Sequence, residues 1–144
     1  MVVRVAVILG LVAVAGCTTV GLPGTKTDGS IAPGADNGRV AATIIQAMGG
    51  GLVGGQIGEG LSDRDRRSAL EAEYRALEYT QSGRPVGWKG SRSDRYGEVV
   101  AAQPYRVGSQ DCRQYTHTIF MGGQSRSARG TACRNPNGSW TPLT

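Results

Sequence analysis

Apolar residues recur at helical spacing over residues 62–80. Leu70, Tyr74 and Leu77 fall at positions i, i+4 and i+7 among charged residues, a spacing that predicts an amphipathic helix. Ser62 directly precedes this segment and is a favourable N-cap. The many carboxylates of the helix are expected on its solvated face, because balanced charges on one side of a helix need no catalytic explanation.

The preceding segment, residues 39–61, combines apolar residues with regularly spaced glycines. On a helix, Gly50, Gly54 and Gly58 share one face without side chains, along which another helix can approach closely. We therefore predict a glycine-zipper helix that self-associates. Its nineteen consecutive uncharged residues, 40–58, approach the length that spans a bilayer, so a membrane span is one alternative. A disordered glycine-rich linker is another.

The C-terminal part, residues 81–144, alternates short β-like runs with turn signals, which predicts a small antiparallel β module. Gly122 and Gly123 separate two strand-like runs and are a strong two-residue hairpin signal. With these residues as the turn, Cys112 lies directly opposite Cys133 at a non-hydrogen-bonded pair. Such pairs have the shorter Cα separation, about 4.5 Å, which a disulfide tolerates.

The N-terminus has the order of a lipoprotein signal. In residues 1–16, one cation precedes an apolar run, and small residues lead into Cys17. The tetrad Val14-Ala15-Gly16-Cys17 is typical of a bacterial lipobox, whose cysteine is acylated and becomes the new N-terminus. Residues 17–38 are rich in Gly, Pro, Thr and Asp and are interpreted as a flexible tether. Thr18, rather than Asp, follows the cysteine and favours the outer membrane.

Composition limits the remaining possibilities. A chain of 144 residues with 23 glycines holds one modest domain. If Cys17 is acylated, an even pair of cysteines remains for an oxidising compartment. The single histidine, His117, lies on the predicted core side of the hairpin without a nearby nucleophile and is interpreted as structural. We therefore expect no catalytic residues, no metal site, no cofactor and no enzymatic activity. A G-x-G-x-x-G match at 49–54 lacks the βαβ context of a nucleotide site.

The β module is basic. Beyond Thr80 it has nine cations and three anions, which give a net charge of +6. An alternative function is therefore a binding module that captures an anionic envelope polymer, either lipopolysaccharide or peptidoglycan, or inhibits a hydrolase. A generic solvated basic surface explains the charge equally well. Nucleic acid is not an expected partner outside the cytoplasm.

Three parts of the chain resemble one known family. The lipobox, the glycine-rich stretch continuing as GGQIGEGLSDRDRRSALEAEYRALE, and the tail CRQYTHTIFMGGQSRSARGTACRNPNGSW are similar to the rickettsial 17 kDa surface antigen family of outer-membrane lipoproteins. The resemblance implies lipid anchoring at Cys17 and an envelope role, without an activity. Glycine-zipper members often carry two zipper segments that form a hairpin, whereas this chain has one.

The expected protein is thus of the α+β class, with helices followed by a disulfide-linked β hairpin module. We expect an outer-membrane, lipid-anchored, surface antigen-like lipoprotein with a structural role in the envelope. Its expected partners are membrane lipid through acylated Cys17 and a second copy of the chain through the glycine stripe.

Overall fold

The computed structural model describes residues 40–143. The predicted signal peptide, the predicted lipidation site Cys17 and the predicted tether lie outside the described residues. The described part consists of a helical layer packed on one face of an antiparallel sheet. The helices are α1 (Ala42–Ala47) and α2 (Asp63–Glu78); the strands are β1 (Pro85–Lys89), β2 (Arg95–Ala101), β3 (Tyr105–Val107), β4 (Gln110–Met121), β5 (Gln124–Arg134) and β6 (Trp140–Leu143).

The sheet has the order β1-β2-β4-β5-β6, and β3 pairs with the start of β4 beyond the end of β2. All neighbouring strands are antiparallel. The β4–β5 hairpin has the predicted register, from Met121 opposite Gln124 at the turn to Cys112 opposite Cys133 at the far end. These two cysteines form a disulfide with their Cα atoms 4.0 Å apart. The bridge therefore closes the hairpin at the end away from its turn.

Helix α2 lies within the predicted amphipathic segment and begins where the sequence indicates. The Oγ of Ser62 accepts a hydrogen bond from the backbone N–H of Asp65 at 3.2 Å, which satisfies one of the free donors at the helix start. At the other end, the buried guanidinium of Arg113 in β4 donates to the carbonyl oxygens of Ala76 (3.0 Å) and Leu77 (2.7 Å). Burial lowers the pKa of Arg113. A cation at a helix C-terminus also interacts favourably with the negative end of the helix dipole.

The core lies between α2 and the sheet. Alternate residues of β4 face the helix, and Tyr115, His117 and Ile119 are buried there. Leu70 and Leu77 of α2 are buried opposite them, as the helical spacing predicts. The period of two along the strand and the period near 3.6 along the helix each bury one face, and these two faces meet in one core.

The predicted continuous helix over 39–61 is wrong. After the single short helix α1, the glycine-rich segment (residues 40–61) contains only two 3-10 turns, Leu52–Gly54 and Gln56–Gly58. Gly50 and Gly51 have positive φ angles of 91° and 56°, a conformation that ends a right-handed helix and that glycine adopts at little cost.

The turns of the glycine-rich segment place its apolar residues in the core. Met48 and Val53 are fully buried, and Ile57 is nearly so. A straight helix could bury only one stripe of these residues against the sheet, whereas the turns allow them all to be enclosed. Within residues 40–143 no helix is long and apolar enough to cross a bilayer.

Candidate functional site

The centre of the core contains a carboxylate. Glu73 of α2 is fully buried, and its Oε1 lies 2.7 Å from Nδ1 of His117 in β4. The backbone N–H groups of Leu52 and Val53 donate to Glu73 Oε2 and Oε1 at 3.0 and 2.9 Å. The Tyr115 hydroxyl donates to Oε2 at 3.4 Å. Four donors thus surround this carboxylate, which is the number that two carboxylate oxygens can accept without strain.

The tautomer of His117 follows from its second neighbour. The indole Nε1–H of Trp88 lies 2.9 Å from Nε2 of His117. An indole nitrogen only donates, so Nε2 must accept and the ring proton must reside on Nδ1, which then donates to Glu73. Both ring nitrogens of the neutral imidazole are therefore used. His117 is a satisfied core histidine, as the sequence predicts.

A carboxylate beside an imidazole also occurs in hydrolases, where the second ring nitrogen faces a nucleophilic hydroxyl or thiol. In this chain that position is occupied by the Trp88 indole, which is not a nucleophile. His117 has no exposed surface, so a substrate atom has no approach to either ring nitrogen. Burial, together with the neighbouring Glu73 charge, raises the pKa of Tyr115 far above its ordinary value. Tyr115 therefore stays protonated and serves as a hydrogen-bond donor.

The Glu73 network attaches the glycine-rich segment to α2. Arg66, two turns earlier on the same helix, donates to the carbonyl oxygens of Val53 and Gly58, each at 3.1 Å. A Cβ atom at Gly58 would collide with the Val53 carbonyl oxygen, and one at Gly51 would collide with Oε2 of Glu73. At Gly54 a Cβ atom would meet nothing within 4 Å. Gly51 and Gly58 are thus needed for packing, because each lies against a carboxylate or a backbone carbonyl. Gly54 is not needed in this way, although it shares the four-residue spacing with Gly58.

Asp65 is a second buried carboxylate of α2. It accepts from the Ser91 backbone N–H at 2.6 Å, from the Ser91 hydroxyl at 3.2 Å and from Arg95 at 3.4 Å. Burial raises its pKa, but the hydrogen bonds from Ser91, Ser62 and Arg95 outweigh that effect, and the net pKa is lowered. The expectation that the carboxylates of this helix lie on its solvated face is therefore wrong for Asp65 and Glu73. Both can be buried because donors from other segments satisfy them: backbone N–H groups of nearby loops for each, and the Arg95 side chain of β2 for Asp65.

A sequence signal for Glu73 was present. Glu73 lies three residues after Leu70 and four before Leu77, on the apolar stripe of the helix. Asp65 lies four residues before the buried Ala69 and shares its side of the helix. An acidic residue on the apolar stripe of a helix indicates a buried side chain with hydrogen-bond partners. The number of acidic residues in the helix does not indicate this.

A third carboxylate, Glu78, ends α2 in an ion pair with Arg134 of β5. Nε and Nη2 of Arg134 each lie 2.8 Å from one carboxylate oxygen, a bidentate arrangement. The Trp140 indole N–H donates to the same carboxylate at 2.8 Å. The hydrogen bond from Arg134 is the main reason that the pKa of Glu78 is lowered, and the same contact raises the pKa of Arg134.

The cations of the β module are largely occupied by the protein itself. Seven of the nine have a partner: a carboxylate for Arg92, Arg95, Arg106 and Arg134, backbone carbonyls for Arg113 and Arg126, and the Thr116 hydroxyl for Arg129. Most of the cations that give the module its net positive charge therefore have a contact within the protein. The contacts of Arg95, Arg113 and Arg134 are buried or partly buried, whereas those of the other four are exposed.

The predicted site residues are distributed over different parts of the fold. Cys112 and Cys133 are bridged at one end of the sheet. Gly50, Gly54 and Gly58 lie in turns of the glycine-rich segment and do not form a helical stripe. Within residues 40–143 no group of three or more His, Cys, Asp or Glu side chains could hold a metal ion.

A helix packed on one face of a disulfide-bridged antiparallel sheet defines a small α+β domain. A family model described as 17 kDa outer membrane surface antigen matches residues 75–141, from the last turn of α2 into β6. The 17 kDa surface antigen of Rickettsia bellii is 41% identical over 108 residues, which cover 74% of this chain and 68% of that protein. The chain belongs to the 17 kDa surface antigen family.

Other relatives align over a shorter stretch. The 17 kDa surface antigens of Rickettsia conorii and Rickettsia rickettsii are each 42% identical over 82 residues, which cover 56% of this chain and 52% of each relative. No solved structure matches the chain.

Proposed function

We propose that this chain is a lipid-anchored, surface antigen-like lipoprotein of the outer membrane with a structural, non-catalytic role in the envelope. Membership of the 17 kDa surface antigen family supports the location. The tetrad Val14-Ala15-Gly16-Cys17 supports acylation at Cys17. An anchor of several acyl chains binds a membrane durably, since each buried methylene contributes about 0.8 kcal/mol.

The observation that carries the structural role is the enclosed Glu73–His117–Trp88 chain of hydrogen bonds. His117 is the single histidine of the protein, and both of its nitrogens are used inside the core. The residue best suited to acid–base chemistry at neutral pH therefore stabilises the fold. A folded domain attached to a lipid through residues 17–38 suits a protein with a structural role at the membrane.

Two finer predictions receive no support and are not part of this proposal. A helical glycine stripe for self-association is not formed by Gly50, Gly54 and Gly58. Capture of an anionic polymer by the basic surface as a whole stays a separate prediction, because cations such as Arg92 and Arg106 are exposed and use only part of their donors within the protein.

The location can be tested in a Gram-negative host that expresses the full chain. We expect the wild-type protein in the outer-membrane fraction, with an N-terminal peptide whose mass corresponds to an acylated Cys17. The Cys17→Ser variant should accumulate unacylated, outside the outer-membrane fraction. An unmodified wild-type chain that begins at Met1 and fractionates as soluble protein would contradict the proposal.

The envelope role requires a separate test in the native host. Deletion of the gene should increase the entry of a bulky dye that an intact outer membrane excludes. Wild-type protein should restore the barrier, whereas Cys17→Ser should not. As a matched control, Cys112→Ser retains the anchor while it alters the folded domain. The barrier measured in this variant therefore separates the contribution of the domain from that of the anchor. A barrier that is unchanged by the deletion would contradict the role and leave the location standing.

A further inference from the structure

A cleft of about 490 Å³ with a mixed polar and apolar lining lies beyond the C-terminal end of α2, on the helix-covered face of the sheet. Its volume falls within the range of small-ligand sites. Its lining includes the apolar residues Leu77, Pro104 and Trp140. Its charged lining consists of three cations and two carboxylates: Arg106, Arg113, Arg134, Glu78 and Asp111. None of these residues belongs to the Glu73 network.

The charged side of the cleft follows from strand pairing. Arg106 in β3 is paired with Asp111 in β4, and Arg134 in β5 is paired with Trp140 in β6. The β4–β5 ladder ends at the bridged cysteines, and Asp111 and Arg134 come next on either strand. Asp111 therefore lies between two guanidinium groups, and it contributes to the raised pKa of Arg134.

The two guanidinium groups retain donors for a ligand. Among residues 40–143, Arg106 is bonded only through Nε, to Asp111 at 3.2 Å, and Nη1 of Arg134 has no partner. The Arg106–Asp111 pair is solvent-exposed, with 67% and 52% of the side chains accessible, so it contributes little to stability and can rearrange. Arg134 is fixed by its bidentate contact with Glu78. One exposed guanidinium and one held in a bidentate ion pair, beside the same cleft, are suited to an oxyanion.

We propose that this cleft binds an acidic saccharide, a sugar that carries a carboxylate or a phosphate. The oxyanion would be held by Arg106 and Arg134, a sugar hydroxyl would donate to Asp111, and the apolar face of the ring would lie on the exposed Pro104. The site lies wholly within residues 40–143 and does not depend on the lipid anchor, so the two proposals can fail separately.

The two tryptophans of the chain provide an internal reporter and an internal control. Trp140 borders the cleft and its indole N–H is bonded to Glu78, whereas the Trp88 indole N–H is bonded to His117 in the core. The ¹⁵N-labelled full-length lipoprotein in detergent micelles should therefore give two indole signals. Titration with a uronic-acid disaccharide or with a hexosamine 1-phosphate should shift the Trp140 signal saturably and leave the Trp88 signal in place.

Two variants test the assignment. Arg106→Ala should weaken binding about tenfold or more, since a charge-assisted contact is lost. Arg92→Ala is the matched control, because Arg92 forms a similarly exposed pair with Asp94 outside the cleft, at 66% and 40% accessibility, and binding should not change. An unshifted Trp88 signal in each variant shows that the core is intact.

The choice of ligand separates the sources of the anion. Binding of the phosphate sugar alone indicates a lipopolysaccharide-like source, and binding of the carboxylate sugar alone indicates an acidic polysaccharide. A neutral disaccharide that binds equally well, or acetate and inorganic phosphate that bind as tightly as the sugars, would overturn the proposal. So would a Trp140 signal that no sugar shifts, or an Arg106→Ala variant that binds as wild type.

Discussion

Nδ1 of His117 lies 2.7 Å from Oε1 of Glu73, and neither side chain has any exposed surface. The contact joins β4 to α2, and the same carboxylate accepts the backbone N–H groups of Leu52 and Val53. A single side chain thus connects the helix, the sheet and the glycine-rich segment. Buried polar networks of this kind favour one arrangement strongly, because every alternative leaves a charged or polar group without a partner.

Replacement of the central carboxylate should therefore be costly. In Glu73→Gln the amide nitrogen would face donors, so at least one hydrogen bond becomes a repulsive contact. We expect the free energy of unfolding to fall by about 2–4 kcal/mol, measured by urea titration. Glu71→Gln, on the same helix, is the control: its pairs with Arg67 and Arg75 are partly exposed, and the change should be below about 1 kcal/mol. Equal effects of the two substitutions would show that the Glu73 network contributes no special stability.

The glycine-rich segment allows a matched pair of substitutions. Gly58→Ala places a Cβ atom against the Val53 carbonyl oxygen and should destabilise the fold by about 1–3 kcal/mol. At Gly54 the space is open, so Gly54→Ala should change stability by less than about 0.5 kcal/mol. Thermal unfolding of the two variants measures the difference. A helical stripe predicts similar effects at both positions, so equal losses would contradict the observed turns.

The disulfide should contribute substantially to a domain of this size. Cys112 and Cys133 are 21 residues apart, and loop entropy predicts a loss of about 3 kcal/mol when both are replaced by serine. We expect a lower Tm for the double variant than for the oxidised wild type. Reductant should lower the Tm of the wild type only. Peptide mapping without reduction gives a direct check, since two free thiols in protein from the native envelope would exclude the bridge.

Acid stability should depend on Glu78. Its pKa is lowered mainly by the hydrogen bond from Arg134, so the pair stabilises the fold above the ordinary pKa of a glutamate, about 4.3. This contribution is lost as the pH falls through the lower folded-state value, because the unfolded chain then binds the proton more readily. The free energy of unfolding, measured from pH 6 to pH 2, should therefore fall less steeply in Glu78→Gln.

Some slope must remain in that variant, because Asp65 also has a lowered pKa and loses its contribution in the same direction. Asp94→Asn serves as the control, since Asp94 forms an exposed pair with Arg92. Identical pH profiles of wild type and Glu78→Gln would show that the Glu78–Arg134 pair does not contribute to the pH dependence of the free energy of unfolding.

The sequence by itself determined the features that depend on local order. A two-residue glycine turn and strict alternation fix a hairpin register, so the pairing of Cys112 with Cys133 could be counted from residue numbers. Ser62 and the spacing of Leu70 and Leu77 likewise fixed the start of α2 and its buried face. Each of these depends on neighbours within a few residues or across a single turn.

Only the tertiary structure decided the conformation of the glycine-rich segment and which acidic residues are buried. Glycine permits both a helix and a chain of tight turns, and the choice depends on which surface is available to cover Met48 and Val53. That surface is the sheet, which is formed by residues far along the chain. For the same reason, Glu73 could be identified as a buried acceptor only once its donors, Leu52, Val53 and His117, had been brought together from three separate segments.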